Sequence, residues 1–141
     1  MLFDCVGTLL YPEPSAPAVY AHWARRFGSK RTEAAIAERF RDAVGDSIAA
    51  DSHVTNEITE RRRWRRIVAD VIDDAHSPAA LFETLWQHFA RAEHWRLYSD
   101  VEPALNMLSA AGVPVHSASA FDARLRRILA HYPSLADCQR V

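Results

Sequence analysis

The stretch FDCVGTLL, residues 3–10, decides how this chain is interpreted. The run MLFDCV, residues 1–6, is apolar and strand-forming apart from Asp4, and Gly7 ends it. This pattern predicts a short buried strand with an acid near its end. Such an aspartate is either a cap for the next element or a reactive group. Because the glycine turn lets backbone amides approach an anion, Asp4 is a candidate covalent nucleophile.

Composition indicates one globular domain, or one core with an insertion. The chain has 141 residues, 49% of them hydrophobic, and a formal net charge of -1. This charge gives no global reason to expect nucleic acid or an anionic membrane as partner. Cys5 and Cys138 lack CxxC spacing, which argues against a disulfide framework or a zinc site and favours a cytoplasmic location. The short N-terminal apolar run is a poor signal peptide, and no stretch approaches a membrane span.

The middle of the chain is predicted to be helical. A proline-rich passage at 11–17 reads as an irregular linker, and apolar residues then recur at helical spacing to about Trp95. The four apolar stripes are Val19, Trp23 and Phe27; Ile36, Phe40, Val44 and Ile48; Trp64, Ile67, Val68, Val71 and Ile72; and Leu81, Leu85, His88 and Phe89. Gly28 is expected to end the first helix. The arginine run at 60–66 is flanked by acids on its own helix, which predicts a solvated, ion-paired face.

After Trp95 the pattern changes to a helix, a strand and a further helix. Ser99 and Asp100 followed by Pro103 resemble a helix start. The segment 113–119 suits a second strand, and 120–132 a helix. Strands joined through helices predict a parallel α/β sheet, in which ligands bind beyond the carboxyl ends of the strands. Ser119 lies at such an end, where it could hold a phosphoryl oxygen together with helix amides, or simply cap the next helix.

Three stretches resemble the haloacid dehalogenase superfamily. FDCVGTLL is similar to its first motif, a strand ending in D-x-D-x-T, with the nucleophile falling on Asp4 and the threonine on Thr8. GVPVHSASAFDARL, residues 112–125, resembles the second motif, with its serine at Ser119. HFARAEHWRLYSDVEPALNML, residues 88–108, resembles the return from the family's helical cap into its core.

This resemblance implies a partial Rossmann-like core with an inserted α-helical cap. The core would comprise 1–12 and 98–141, and the cap 13–97. It further implies a phosphatase-type hydrolase that forms an aspartyl-phosphate on Asp4, binds the phosphate of a small phosphorylated metabolite with Gly7, Thr8 and Ser119, and holds Mg²⁺ with Asp4 and the Val6 carbonyl. The implied location is cytoplasmic, with neither nucleic acid nor membrane as partner.

The chain departs from the family pattern at Val6, which replaces the second aspartate, the general acid/base. Such a group typically contributes about 10² to 10⁴ in rate. Phosphatase-like members with D-x-V-G-T share the loss, and so do 2-haloacid dehalogenases, which work without a metal. Metal-independent hydrolysis of a small haloacid is therefore an alternative.

The other departure concerns the later motifs. The family's third-motif lysine and fourth-motif acids are expected downstream of the second-motif helix, and the sequence ends at Val141. The single lysine, Lys30, falls in the predicted cap, and the arginines at 124, 126 and 127 are poor substitutes. The expectation is therefore a truncated member that is impaired or inactive, with a non-catalytic remnant or binding module as a further alternative.

Overall fold

A computed structural model describes residues 1–49, 56–119, 121–136 and 139–140. The chain divides into two compact units. We call Met1–Glu13 with Phe89–Val141 the strand unit, and Pro14–His88 the helical unit. Neither unit contains, among the residues described, a helix of the length and apolar character that crossing a membrane requires.

The elements follow one another in the order that an α/β chain with a helical insertion requires. They are β1 (Leu2–Asp4), β2 (Leu10–Pro12), α1 (Ala16–Arg26), α2 (Glu33–Ala49), α3 (Glu57–Val71), α4 (Pro78–His88), a short 3-10 helix (Ala92–His94), β3 (Trp95–Leu97), α5 (Val101–Ala110), β4 (His116–Ala118), α6 (Arg124–Ala130), α7 (Pro133–Ala136) and β5 (Gln139–Arg140). β1 pairs in parallel with β4, and β4 with β5, in the order β1-β4-β5. The predicted α/β class with a parallel sheet is confirmed.

The first strand is shorter and more exposed than the sequence predicts. It covers Leu2–Asp4 rather than 1–6, because the chain bends at Cys5. Among the described strands β1 is one of the two outer strands of its sheet, and Leu2 is 58% exposed. The prediction that this strand is buried is therefore wrong for Leu2. β5 was not predicted, since two residues carry too little pattern to indicate a strand.

The irregular linker predicted over 11–17 is confined to residues 13–15, because β2 and α1 take up its two ends. Leu10–Pro12 forms an antiparallel ribbon with Trp95–Leu97. Proline is tolerated because it lies at the end of a strand in a two-stranded ribbon, where an unpaired position needs no N–H. The Glu13 N–H donates to the His94 carbonyl at 2.8 Å and extends the contact. Residues 89–97 consequently group with the strand unit, whereas the sequence places them before the return at 98.

The core of the strand unit is built around Trp95, which is 2% exposed. Its indole N–H donates to the Phe89 carbonyl at 3.1 Å, and the Phe121 ring meets it edge-on at 5.6 Å. The Tyr132 hydroxyl donates to the Trp95 carbonyl at 2.6 Å. The buried members of this core are Cys5, Leu9, Leu10, Trp95, Val101, Leu105, Leu125, Ile128, Leu129 and Leu135. Full burial of a large apolar side chain stabilises by about 1.5–3 kcal/mol, so this cluster holds the short strands together.

The helical unit contains the four predicted helices. α1 ends where expected, because Gly28 follows its C-cap Phe27 and has a φ of +84°. A capping box between Asn56 and Thr59 starts α3, and it satisfies amides that the first turn leaves free. Val71 of α3 and Leu81 of α4 are completely buried, so the apolar stripes do form the faces that pack.

The arginine run on α3 forms ion pairs, as predicted, but its main partner lies on another helix. Arg61 binds Glu83 of α4 at 2.6 Å through Oε2, and Arg65 approaches the same carboxylate at 3.5 Å. The two guanidinium groups also stand 5.3 and 5.0 Å from the Phe82 ring centroid. Arg63 pairs with Glu60 within α3 at 3.4 Å. The run therefore joins α3 to α4 by charge and by cation-π contact.

A second polar cluster joins the segment after α1 to the segment after α3. Asp73 receives hydrogen bonds from Arg31 and, at 3.1 Å, from Arg39. The hydrogen bond from Arg31 lowers the pKa of the Asp73 carboxyl below its ordinary value. The pKa of Asp74 is lowered too, chiefly by a hydrogen bond from the Ser29 hydroxyl. Both carboxylates are therefore held in the charged form that these contacts need.

Candidate active site

Asp4 and Ser119 lie at the same edge of the parallel sheet. Asp4 is the last residue of β1 and pairs with Ala118, the last residue of β4. Ser119 directly follows β4. The Asp4 side chain is exposed, whereas that of Cys5 is completely buried, so the two point to opposite sides of the chain. The arrangement leaves a carboxylate and a hydroxyl at the carboxyl ends of adjacent strands, as the sequence predicts.

The turn after Asp4 is closed by its own backbone. The Cys5 carbonyl accepts the amides of Thr8, Leu9 and Leu10 at 3.3, 2.9 and 3.0 Å, and the Gly7 N–H donates to the Leu10 carbonyl at 2.8 Å. Gly7 has a φ of +89°, a conformation that L-residues rarely adopt. Gly7 thus shapes the turn, while the Thr8 side chain is exposed on it. The phosphate-binding roles of both residues stay predictions.

Val6 packs inward from this turn. Its side chain is half-buried and lies against the core cluster of the strand unit. It also forms an isolated parallel bridge with Leu10. Because valine has no proton to transfer, the position that carries the acid/base in the resembled motif here contributes packing.

Ser119 does not cap the helix that follows it. α6 begins at Arg124, five residues later, with Ala123 as its N-cap residue. The Ser119 hydroxyl instead accepts the Phe121 N–H at 3.2 Å. The helix-cap reading of Ser119 is therefore wrong, and the expected helix amides lie beyond this turn.

Sequence reasoning missed the structure that supports Ser119. Asp122 accepts two hydrogen bonds from the Arg124 guanidinium, at 2.8 and 2.7 Å, and a third from the Arg124 amide at 3.0 Å. The signal was the string FDAR at 121–124, in which an acid and an arginine lie two residues apart. Arg124 is thus bound within its own turn, which agrees with its being a poor substitute for a site lysine.

The other cations considered from sequence lie on α6 and in the helical unit. Arg126 and Arg127 are exposed on α6. Lys30 lies in the helical unit, where its amide binds Asp74 at 3.0 Å.

The described residues contain no dense cluster of side chains that bind metals. Within residues 1–49, 56–119, 121–136 and 139–140, no group of three or more His, Cys, Asp or Glu residues could hold a metal ion. The pairing of β1 with β4 places the Asp4 carboxylate at the sheet edge. Val6 offers only its backbone carbonyl. Mg²⁺ takes one or two carboxylates together with waters and substrate oxygens in near-octahedral geometry, so Asp4 and the Val6 carbonyl would supply two of its oxygens, and their metal-binding role stays a prediction.

Comparison with known proteins agrees with the sheet-edge geometry. No curated protein matches the chain. A family model described as haloacid dehalogenase-like hydrolase matches residues 1–138, nearly the whole sequence. With Asp4 and Ser119 at adjacent strand ends in a parallel α/β sheet, this match shows that the chain belongs to the haloacid dehalogenase-like hydrolase family.

Proposed function

We propose that the protein is a phosphatase-type hydrolase in which Asp4 is the nucleophile. The observation that carries the proposal is the exposed Asp4 carboxylate at the end of β1, in parallel register with the strand that precedes Ser119. The substrate would be a small phosphorylated metabolite, with neither nucleic acid nor a membrane as partner. Thr8 and Ser119 would hold the phosphoryl oxygens, and the helical unit would act as the cap that selects the substrate.

The reaction has two displacements. An Asp4 carboxylate oxygen attacks phosphorus while the bond to the leaving-group oxygen breaks, which gives an aspartyl-phosphate. Water then attacks phosphorus, the bond to Asp4 breaks, and inorganic phosphate leaves. The carboxylate is regenerated, and water accepts and supplies the protons.

Val6 limits the substrates that such a site can hydrolyse. Because valine cannot protonate a leaving group, departure must succeed without that help. We therefore expect a preference for phosphate esters with acidic leaving groups, such as phenols, over alkyl phosphates. The rates for aryl and alkyl phosphates should differ by about 10²- to 10⁴-fold, the usual contribution of a general acid/base.

The proposal is tested by hydrolysis of an aryl phosphate, with and without Mg²⁺, by the native chain and by Asp4→Asn. Asp100→Asn is the matched control, because Asp100 is an exposed acid whose side chain makes no cap hydrogen bond. We expect slow turnover by the native chain and the control, because Val6 cannot act as the acid/base, and none by Asp4→Asn. Equal rates for the native chain and Asp4→Asn would remove Asp4 from the mechanism. Comparison with EDTA shows whether Mg²⁺ belongs to the site.

A second candidate is metal-independent hydrolysis of a carbon-halogen bond in a small haloacid. It is favoured by the apolar packing of Val6, which leaves Asp4 as the acid that the strand pairing places at this edge. Halide release from a 2-haloacid in EDTA, lost in Asp4→Asn, would support it. A folded chain that turns over neither class of substrate would instead indicate a non-catalytic binding module.

A further inference from the structure

A buried ion pair lies just beyond the strand that leads to Ser119. The side chains of Asp122 and Arg124 are 4% and 10% exposed. The guanidinium donates to both carboxylate oxygens in the two-pronged geometry that is the strongest for this pair. By contrast, the side chains of the Arg61–Glu83 pair are 39% and 41% exposed. Asp122 and Arg124 therefore form a buried ion pair rather than a surface pair.

A continuous set of contacts runs from this pair to the Ser119 hydroxyl. The Arg124 guanidinium stands 4.8 Å from the centroid of the Phe121 ring. That ring also contacts Trp95 in the core, at 5.6 Å and 82°. The Phe121 amide donates to the Ser119 Oγ at 3.2 Å. Phe121 is thus held between the buried pair and the core, and it fixes the serine in turn.

Stability alone does not account for a buried pair of this kind. Removing two charges from water costs free energy that their attraction often fails to return, and apolar replacements are frequently as stable. Retained buried pairs can instead specify one conformation of the chain around them. Here that conformation is the one held by Phe121, Asp122 and Ala123, the described residues between Ser119 and α6.

We infer that Asp122 and Arg124 are positioning residues, which hold the Ser119 hydroxyl at the carboxyl edge of the sheet through Phe121. The catalytic consequence rests on the proposed function, because Ser119 contacts the phosphoryl group only in that proposal. The position of the hydroxyl does not rest on it. The two parts are therefore tested by separate measurements.

The first measurement is hydrogen exchange of the Phe121 amide in the full chain. Two variants break the pair: Asp122→Leu with Arg124→Met, and Arg124→Lys, which keeps the charge but loses the planar fork. Both should speed exchange of this amide by about 2- to 13-fold, the range for loss of one neutral hydrogen bond. The Val113 amide, bonded to the Leu108 carbonyl, is the reference for opening elsewhere in the strand unit. Unchanged exchange at Phe121 in a folded variant overturns the inference.

Ser119→Ala is the matched variant for that measurement. It removes the acceptor and leaves the ion pair in place, so it should speed Phe121 exchange by a similar factor. If it does not, the hydroxyl is not the group that the pair positions, and the inference fails.

The second measurement is kcat/KM for an aryl phosphate. If the pair acts through Ser119, the pair variant and Ser119→Ala lower kcat/KM by similar factors, and their combination lowers it no further. Multiplied losses would show that the pair acts independently of Ser119 and would overturn the inference. A native chain without phosphatase turnover would count against the proposed function, while the exchange experiment still decides the positioning role.

Discussion

The end of α1 offers a sharp test of how the helical unit is held together. Gly28 has a φ of +84°, and a Cβ at this position would lie 2.3 Å from Cε1 of the His76 ring. The His76 amide also donates to the Phe27 carbonyl at 2.8 Å, so the two segments are in direct contact. Gly28→Ala therefore adds a methyl group where both the backbone and the available space oppose it.

The expected loss has two parts. A left-handed backbone costs an L-residue about 1–2 kcal/mol, and glycine avoids this cost. The second part is displacement of the imidazole, which is exposed and can rotate away. Gly45→Ala is the matched control, because Gly45 lies within α2 and nothing lies within 4 Å of its would-be Cβ. Alanine should stabilise that position by about 0.5–1 kcal/mol, so the two variants should differ by about 1.5–3 kcal/mol.

Urea unfolding followed by tryptophan fluorescence measures both free energies, with Trp23 on α1 as a nearby reporter. Adding His76→Ala to Gly28→Ala separates the two parts, since it relieves the contact and leaves the backbone cost. A Gly28→Ala chain as stable as the native one would refute the argument. So would full recovery in the double variant, which would show that the contact alone carried the loss.

Two further predictions concern single polar contacts. Because the Arg31 hydrogen bond lowers the pKa of Asp73 in the folded chain, the unfolded chain binds more protons in acid. The stability that this contact contributes is complete above the ordinary carboxyl pKa and is lost as the pH falls from about 5. Asp73→Asn should therefore make the unfolding free energy depend less steeply on pH between about pH 5 and 3. An unchanged slope would contradict this. Tyr132→Phe removes the hydroxyl donor to the Trp95 carbonyl and should cost about 0.5–1.5 kcal/mol in urea unfolding, whereas an unchanged midpoint would show that the bond adds nothing.

Long periodic segments were predictable from the sequence, and short ones were not. The apolar stripes of α1 to α4 extend over several turns, and burial of one face is enough to define each helix. Strand β2 has three residues and includes Pro12, so its local composition indicates a linker. Only pairing with Trp95–Leu97, far along the chain, makes it a strand. Tertiary contacts of this kind carry no local signal.

Part of the candidate site was likewise predictable from the sequence, and part was not. Asp4 and Ser119 were found because strand ends carry a readable pattern, an apolar run followed by a small or polar residue. The supporting pair of Asp122 and Arg124 was missed, since neither burial nor the stacking of Phe121 can be read from residues two positions apart. The resemblance located the chemistry, while the surroundings of each group required the fold.

The ribbon of β2 and β3 makes the helical unit separable in principle. Where the chain leaves the strand unit at Glu13 and where it has returned at His94, the two backbones are hydrogen-bonded to each other. A short turn could therefore join these points and leave the pairing of β1 with β4 unaltered. The whole insertion is in this sense exchangeable: its length and sequence could vary without changing where Asp4 lies. Replacement of the insertion is then a route by which such a scaffold could acquire a different substrate without rebuilding its chemistry.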